Sequence, residues 1–446
     1  MIKYISLIYM CCLFLTTQIS AQDTLSLAEC TQRALEHSQS IKSAETNLQS
    51  AELQQKLNKR ASLPNFNLDA SYLYMGDPQK LSIPGHPLPT VDGQLSNIYS
   101  PPFEKNLTYD NTWDASIGIS LPLYLGGKLN YARKIAINAK NIAESSVELN
   151  KTGIILQVEQ QYWTLVSLFE QKKIAENSIK FLNGLVNDLT NLYKNEIITK
   201  NEVLKAQVEL NNANLFLISI SNSIEMLKMT INQGIGNEIE TPLLIADSII
   251  EISALEDEIA FNIQNIENRH EIKILNNQEK ININSQKMVR SNYLPQLVSF
   301  ANYTLKSTDN YGEQNDFLTW NAGLALSIPI FHWGESRLKT QQAKLVTETT
   351  RNTLDKTKEM ITLEVKQAIF KQEEAYTKLK FTKEALQQAE ENLSLENNKL
   401  KQEVSTATDL LNAQVQMQKA YADFIAAKAN VKIQHVLYKK AIGELK

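Results

Sequence analysis

Ser120-Leu121-Pro122-Leu123-Tyr124-Leu125-Gly126-Gly127 recurs as Ser327-Ile328-Pro329-Ile330-Phe331-His332-Trp333-Gly334, 207 residues later. At the same offset Glu202-Val203-Leu204-Lys205-Ala206-Gln207-Val208 recurs as Asp409-Leu410-Leu411-Asn412-Ala413-Gln414-Val415. Two distant segments repeating at one spacing mark a duplicated chain, and a duplication has to be recognised before any motif is read. A second offset, 231 residues, relates Leu63-Pro64-Asn65-Phe66 to Leu294-Pro295-Gln296-Leu297, so the first copy holds 24 extra residues between its two segments. They fall within Gly76 to Asn111, where Pro78, Pro84, Gly85, Pro87, Pro89, Pro101 and Pro102 predict a long loop and neither helix nor strand.

Around these anchors each copy reads helix, strand, loop, strand, very long helix, turn, helix. Strands are expected over about 65–75 and 113–124, with a loop at 76–112, and over about 296–305 and 320–331, with a loop at 306–319. Trp113, Ala115, Ile117, Ile119 and Leu121 alternate with Asp114, Ser116, Gly118 and Ser120, and Trp320 to Ile328 repeat the alternation. Period-2 patterning by itself fits an ordinary half-buried sheet. The aromatics Tyr72, Tyr74, Trp113, Tyr124, Trp320 and Phe331 fall near strand ends, where a girdle at the two faces of an outer-membrane barrel would lie. Four strands are too few to close such a barrel, so three copies giving about twelve strands are expected.

From Lys128 to about Lys194, and from Glu335 to about Lys401, there is no proline. About 67 helical residues make a rod of roughly 100 Å, far more than a globular core needs. In the returning helices Val203, Ala206, Leu210, Ala213, Leu217, Ile220, Ile224 and Leu227 step by three and four. Leu410, Ala413, Met417, Ala420, Phe424, Ala427 and Val431 repeat the stepping, which predicts a coiled-coil seam with small residues for close approach.

Met1 to Ala21 reads as a secretory signal: Lys3, an apolar run from Tyr4 to Thr17, and a small-residue exit at Ser20-Ala21. Export would then leave Cys30 as the single cysteine and no intramolecular disulfide. No later apolar stretch is long enough for a membrane-spanning helix. With 45 basic and 49 acidic residues the chain lacks the basic excess of a nucleic-acid binder. His37, His86, His270, His332 and His435 are scattered without a ligand pattern, and no nucleophile elbow is present, so no metal, cofactor or catalytic role is expected.

The prolines at Pro64 and Pro295, the paired Ser-Leu-Pro-Leu-Tyr-Leu-Gly-Gly and Ser-Ile-Pro-Ile-Phe-His-Trp-Gly segments, and the paired helix-turn segments together resemble the TolC-like outer-membrane efflux protein family of Gram-negative bacteria. The resemblance runs from about Leu25 to Gly443. It implies a mainly α chain with a small β part: a homotrimer whose shared β-barrel, four strands per chain, sits in outer-membrane lipid above a periplasmic coiled-coil α-barrel. The corresponding divisions are a signal peptide at 1–21, repeats at 22–232 and 258–446, and an equatorial linker at 233–257. The implied function is a passive exit channel of a tripartite efflux or type I secretion system, fed by a periplasmic adaptor (membrane fusion) protein and an inner-membrane RND or ABC-type pump. A periplasmic coiled-coil structural or adaptor-like protein without a pore is the alternative.

The resemblance also puts the turns containing Ile197, Ile198 and Thr199, and Val404, Ser405 and Thr406, at the tip that meets the adaptor, with Glu202 and Asp409 near its constriction. Family tips often carry Gly where this chain has Glu196 and Glu403. Both acids have a simpler reading: Thr199-Lys200-Asn201-Glu202 and Thr406-Ala407-Thr408-Asp409 fit the capping box, the second with a shorter acid. Ring charge and helix cap both remain open for this pair.

Overall fold

The computed structural model describes residues 24–76, 79–90, 92–106, 111–247, 250, 252, 263–310, 313–402 and 404–445. The expected signal peptide, Glu403 and much of 248–257 lie outside the described residues. The first copy runs β1 (Thr24–Leu25), α1 (Leu27–His37), α2 (Gln39–Arg60), β2 (Asn65–Tyr74), four short strands, β7 (Asn111–Leu125), α3 (Lys128–Lys194) and α4 (Lys200–Ile235). After β8 (Leu244–Ile245) the second runs α5 (His270–Ser291), β9 (Gln296–Asn310), β10 (Glu313–Ser327), α6 (Glu335–Lys401) and α7 (Ala407–Ile442).

The copies match closely. Helices α3 and α6 are both 67 residues, α4 and α7 both 36, α2 and α5 both 22. Both returning helices stop at a glycine in the left-handed region, Gly236 at φ 81° and Gly443 at φ 78°. That conformation lets the chain turn off the helix while satisfying the last carbonyls.

Two compact units divide the chain. One comprises 49–141 and 277–351 and contains the main sheet. Its strand order is β10-β9-β7-β2, with every neighbour antiparallel. In the same unit Arg133 Nη2 donates to Ser62 Oγ at 2.6 Å, and Glu279 and Glu52 pair with Arg351 and Lys140.

The other unit comprises 1–48, 142–276 and 352–446. Tyr162, Leu165 and Val166 of α3, Ile220 and Ile224 of α4, and Cys30 and Ala34 of α1 share one core. Val203, Ala206, Ala213, Ile220 and Ile224 of the expected seam are buried, and so are Leu410, Ala413, Ala427 and Val431 in α7. Among the buried polar side chains, Gln414 Nε2 donates to Ser178 Oγ, which donates to Gln418 Oε1, both at 3.1 Å. Arg269 donates to the Lys440 and Ala441 carbonyls and pairs with Glu271 and Glu364, fastening the end of α7.

Three expectations about the strands need correction. The span 76–112 is no simple loop: β3 (Lys80–Ile83) pairs with β6 (Phe103–Asn106), and β4 (Pro87–Pro89) with β5 (Leu95–Tyr99). Two-stranded ribbons are all edge, so a proline with no N–H to donate is tolerated there. The span 306–319 is mostly strand, because β9 and β10 remain paired from Ser327↔Gln296 to Glu313↔Asn310. Backbone pairing continues past the point where apolar side chains give way to polar ones. Finally, β10 stops at Ser327 and excludes Phe331, since Ser327 already faces Gln296, the first residue of β9. A small parallel pair, Thr24↔Leu244 and Leu25↔Ile245, adds β structure that the pattern did not announce.

Candidate channel surfaces

The register of the sheet sorts its side chains by chemistry. Ala322, Ala301, Ile119 and Phe66 stand side by side, then Trp320, Tyr303, Ile117 and Leu68, then Leu318, Leu305, Ala115 and Ala70. The rows between them hold Asn321, Asn302, Gly118 and Asn67, then Thr319, Thr304, Ser116 and Asp69. Alternate residues of a strand point to opposite faces, so all four strands share one apolar face and one polar face. The polar face is internally bonded: Ser71 Oγ donates to Asp114 at 2.6 Å, and Asn302 Nδ2 to Asn321 at 3.2 Å. The apolar face is bare, with Leu68 74% and Trp320 76% exposed. A contiguous apolar surface of this kind is not left against water.

The expected aromatic residues spread along this face. Tyr72 stands opposite Trp113 and its hydroxyl donates to Asn111 at 2.7 Å; Tyr74 stands opposite Asn111. Trp320 lies two rows further in, beside Tyr303. At the other end the β7–β9 ladder slips between Pro122 and Tyr124, which brings Tyr124 opposite Leu297. Phe331 lies beyond β10 and packs edge-on against Trp333 at 4.9 Å.

The helix turns that join α3 to α4 and α6 to α7 are alike. The Ile197 N–H donates to the Leu192 carbonyl and the Val404 N–H to the Lys399 carbonyl, both at 3.0 Å. Glu196 takes φ 61°, a left-handed conformation that glycine adopts at less cost. Ile197 and Val404 are exposed, and Ser405 Oγ donates to Glu396 at 2.6 Å.

The two acids differ in a way the sequence reversed. Asp409 closes a capping box with Thr406: its Oδ2 accepts from the Thr406 hydroxyl at 2.6 Å and from the Thr406 N–H at 3.2 Å. Those bonds to Thr406 hold the Asp409 carboxyl below its usual range. Thr199 makes no side-chain cap, and Glu202 turns instead across the duplication. Glu202 accepts from Lys205 Nζ at 3.0 Å and from Thr408 Oγ1 at 2.9 Å, while Lys205 also donates to Thr408 at 2.9 Å. Lys205 and then Thr408 hold the Glu202 carboxyl below its usual range. The longer Glu side chain reaches the neighbouring helix start, where the shorter Asp returns to its own cap. Lys205 was visible three residues after Glu202; nothing in the sequence marked Thr408. Among the described residues no cluster of His, Cys, Asp and Glu could hold a metal ion, and no helix is long and apolar enough to cross a membrane.

The sequence profile of the outer membrane efflux protein family matches residues 30–233 and 266–444. The chain belongs to that family. Solved structures of similar fold include the outer membrane protein VceC of Vibrio cholerae, with TM-score 0.75 and 16% identity over 94% of this chain and 96% of that one. The Campylobacter jejuni CmeC outer membrane channel aligns with TM-score 0.78 and 17% identity, over 94% and 85% of the two chains. The open state of the Neisseria gonorrhoeae MtrE outer membrane channel aligns with TM-score 0.74 and 17% identity, over 94% and 89%. No curated protein matches by sequence. As an outer membrane efflux protein the chain is a channel component located in the outer membrane, and the apolar face of its sheet has a lipid environment to meet.

Proposed function

We propose that three copies of this outer membrane efflux protein form one passive exit duct, which completes a tripartite efflux or type I secretion system. The observation that carries this reading is a four-stranded sheet with one apolar face, one polar face and two unpaired edges, β2 and β10. Exposed edges are avoided by closure, and about twelve strands from three chains would enclose a polar lumen. Tyr72, Tyr74, Trp113, Tyr124 and Phe331 serve as interface aromatics of the barrel, whereas Trp320, expected among them, stands level with Ile117 in the middle of the apolar face. The long helices build the periplasmic tunnel. An adaptor docks on the turns containing Ile197, Ile198, Thr199, Val404, Ser405 and Thr406, and an inner-membrane RND or ABC-type pump supplies the energy. Glu202 and Asp409 ring the narrow end, Asp409 while capping its own helix and Glu202 while bonded to Lys205 and Thr408.

The test is reconstitution of the purified protein into planar bilayers, together with fractionation of cells that express it. Discrete single-channel currents and outer-membrane partition are expected. A water-soluble, non-conducting protein would return the reading to a coiled-coil adaptor without a pore.

A further inference from the structure

The four junctions between helix and sheet lie at one end of the sheet, inside a single compact unit. Asn65 of β2 stands opposite Ser120, Leu125 of β7 opposite Gln296, and Gln296 of β9 opposite Ser327 of β10. The adjoining helix ends touch: Arg133 reaches Ser62, the Ser291 carbonyl lies against Gly126, and the Tyr293 ring meets His332 edge-on at 5.8 Å.

Charge at these helix ends is one-sided. The last eight residues of α2 carry Lys56, Lys59 and Arg60, and the first eight of α3 carry Lys128, Arg133 and Lys134. The last eight of α5 carry Lys287 and Arg290, and the first eight of α6 carry Arg337 and Lys339. Against these ten cations stands one acid, Glu335, which pairs with Lys339. The segments that join the helices to the strands add no other acid. Nine cations are thus left within a few helical turns of a chain whose net charge is −4, and all of them except Arg133 are exposed. Crowding of one sign destabilises the folded chain until anions gather beside it. A second copy turned about the membrane normal brings the same residues to the same level and cannot supply those anions.

We propose that this end of the sheet is a belt that binds the phosphate headgroups of anionic glycerophospholipids in the periplasmic leaflet. The inference rests on the outer-membrane channel reading and adds a lipid class to it. The cations begin where the apolar face stops. Lys128 lies three residues past Leu125, and Arg337 lies four past Trp333, which with Ile330 is bare, at 88% and 93% exposed. Long Lys and Arg side chains lay their stems along apolar surface and hold the charge at headgroup level. Helix α2 repeats the combination, because Leu53, Lys56, Leu57 and Arg60 share one exposed face at spacings of three and four. At the other end of β9 and β10 the sign reverses, with Asp309, Glu313 and Asp316 against Lys306. The belt therefore belongs to one leaflet.

The test uses the full-length protein in phosphatidylcholine vesicles, with spin-labelled phosphatidylglycerol or spin-labelled phosphatidylcholine as the probe and the motionally restricted lipid read by electron paramagnetic resonance. One charge near such a surface is worth about fivefold in affinity, which averaged with an indifferent second leaflet gives about a threefold overall preference for phosphatidylglycerol. The preference should vanish at about 1 M salt, where screening acts within about 3 Å. Replacing Lys56, Arg60, Lys287 and Arg290 together by Gln should bring it close to unity. Replacing Lys173, Lys180, Lys366 and Lys383 by Gln, an equal change of charge on exposed positions of the helical unit, should leave it intact. If the quadruple belt variant does not fold, the double variants Lys56→Gln with Arg60→Gln and Lys287→Gln with Arg290→Gln replace it, each removing part of the preference. An inserted, conducting wild type without preference overturns the proposal. So does a belt variant that keeps the preference, or one that keeps it while altering ion selectivity, which would put the cations in the lumen. Equal loss in the control variant overturns it too. Absence of restricted lipid with either probe means that the protein is not in the bilayer, and overturns the channel reading as well, so the two failures are told apart.

Discussion

Replacing Ile117 by Arg, against replacing Ser116 by Arg, tests the two-faced sheet most directly. Ile117 stands midway along the apolar run from Trp113 to Leu121 in a strand with neighbours on both sides, level with Leu68, Tyr303 and Trp320. A guanidinium at the lipid-facing midplane of a barrel costs about 2–4 kcal/mol. That is about 30- to 1,000-fold in the folding equilibrium of one chain. Ser116 is one residue away, yet it stands between Asp69 and Thr304 on the polar face. An Arg there meets a carboxylate directly across the ladder and costs less than about 1 kcal/mol. The assay is urea unfolding of protein folded into lipid vesicles, followed by tryptophan fluorescence, with Ser116→Arg also examined for altered ion selectivity. Equal destabilisation by the two substitutions, or a larger effect at Ser116, would refute the assignment of the faces.

Thr406→Ala removes the cap of α7 and should weaken its first turn by about 1 kcal/mol, seen as faster amide exchange at Asp409 and Leu410; unchanged exchange would mean the box is idle. Because the folded-state pKa of Asp409 is depressed, its contribution is present above the usual Asp range and fades as pH falls through the lowered value, so the cap should survive at pH 5. Glu202→Gln should reduce cation preference at neutral pH without closing the channel. In the wild type that preference should persist until pH drops below the usual Glu range, because Lys205 and Thr408 stabilise the charged form; selectivity identical in both proteins would remove Glu202 from the conducting path. Arg269→Ala should destabilise the helical unit by about 3 kcal/mol, because Arg269 is 5% exposed and holds Glu271, Glu364 and two carbonyls. Combining it with Glu364→Gln should cost less than the sum, and full additivity in thermal unfolding would show that the pair is not coupled.

The duplicated chain carried its own architecture in plain view. Pro64 and Pro295 mark the passage from helix to strand, the proline-free runs after Lys128 and Glu335 mark the long helices, and period-2 alternation from Trp113 to Leu121 marks a two-faced strand. These are local properties: backbone geometry and side-chain periodicity act within a few residues and survive without knowledge of any partner. What needed the tertiary structure was pairing. Polar stretches such as Lys306–Ser307 stay in strand because a neighbour supplies hydrogen bonds, and Ile328–Phe331 leave it because the neighbour has ended. Glu202, which fits a capping box on paper, turns to Thr408 because the fold brings the start of the other copy's helix within 2.9 Å. The sequence by itself determined which segments form the rods and the four long strands and which face of each of those strands is apolar; the short strands, the register, the ends of the strands and the partners of the charged groups were decided by contacts with residues outside the local pattern.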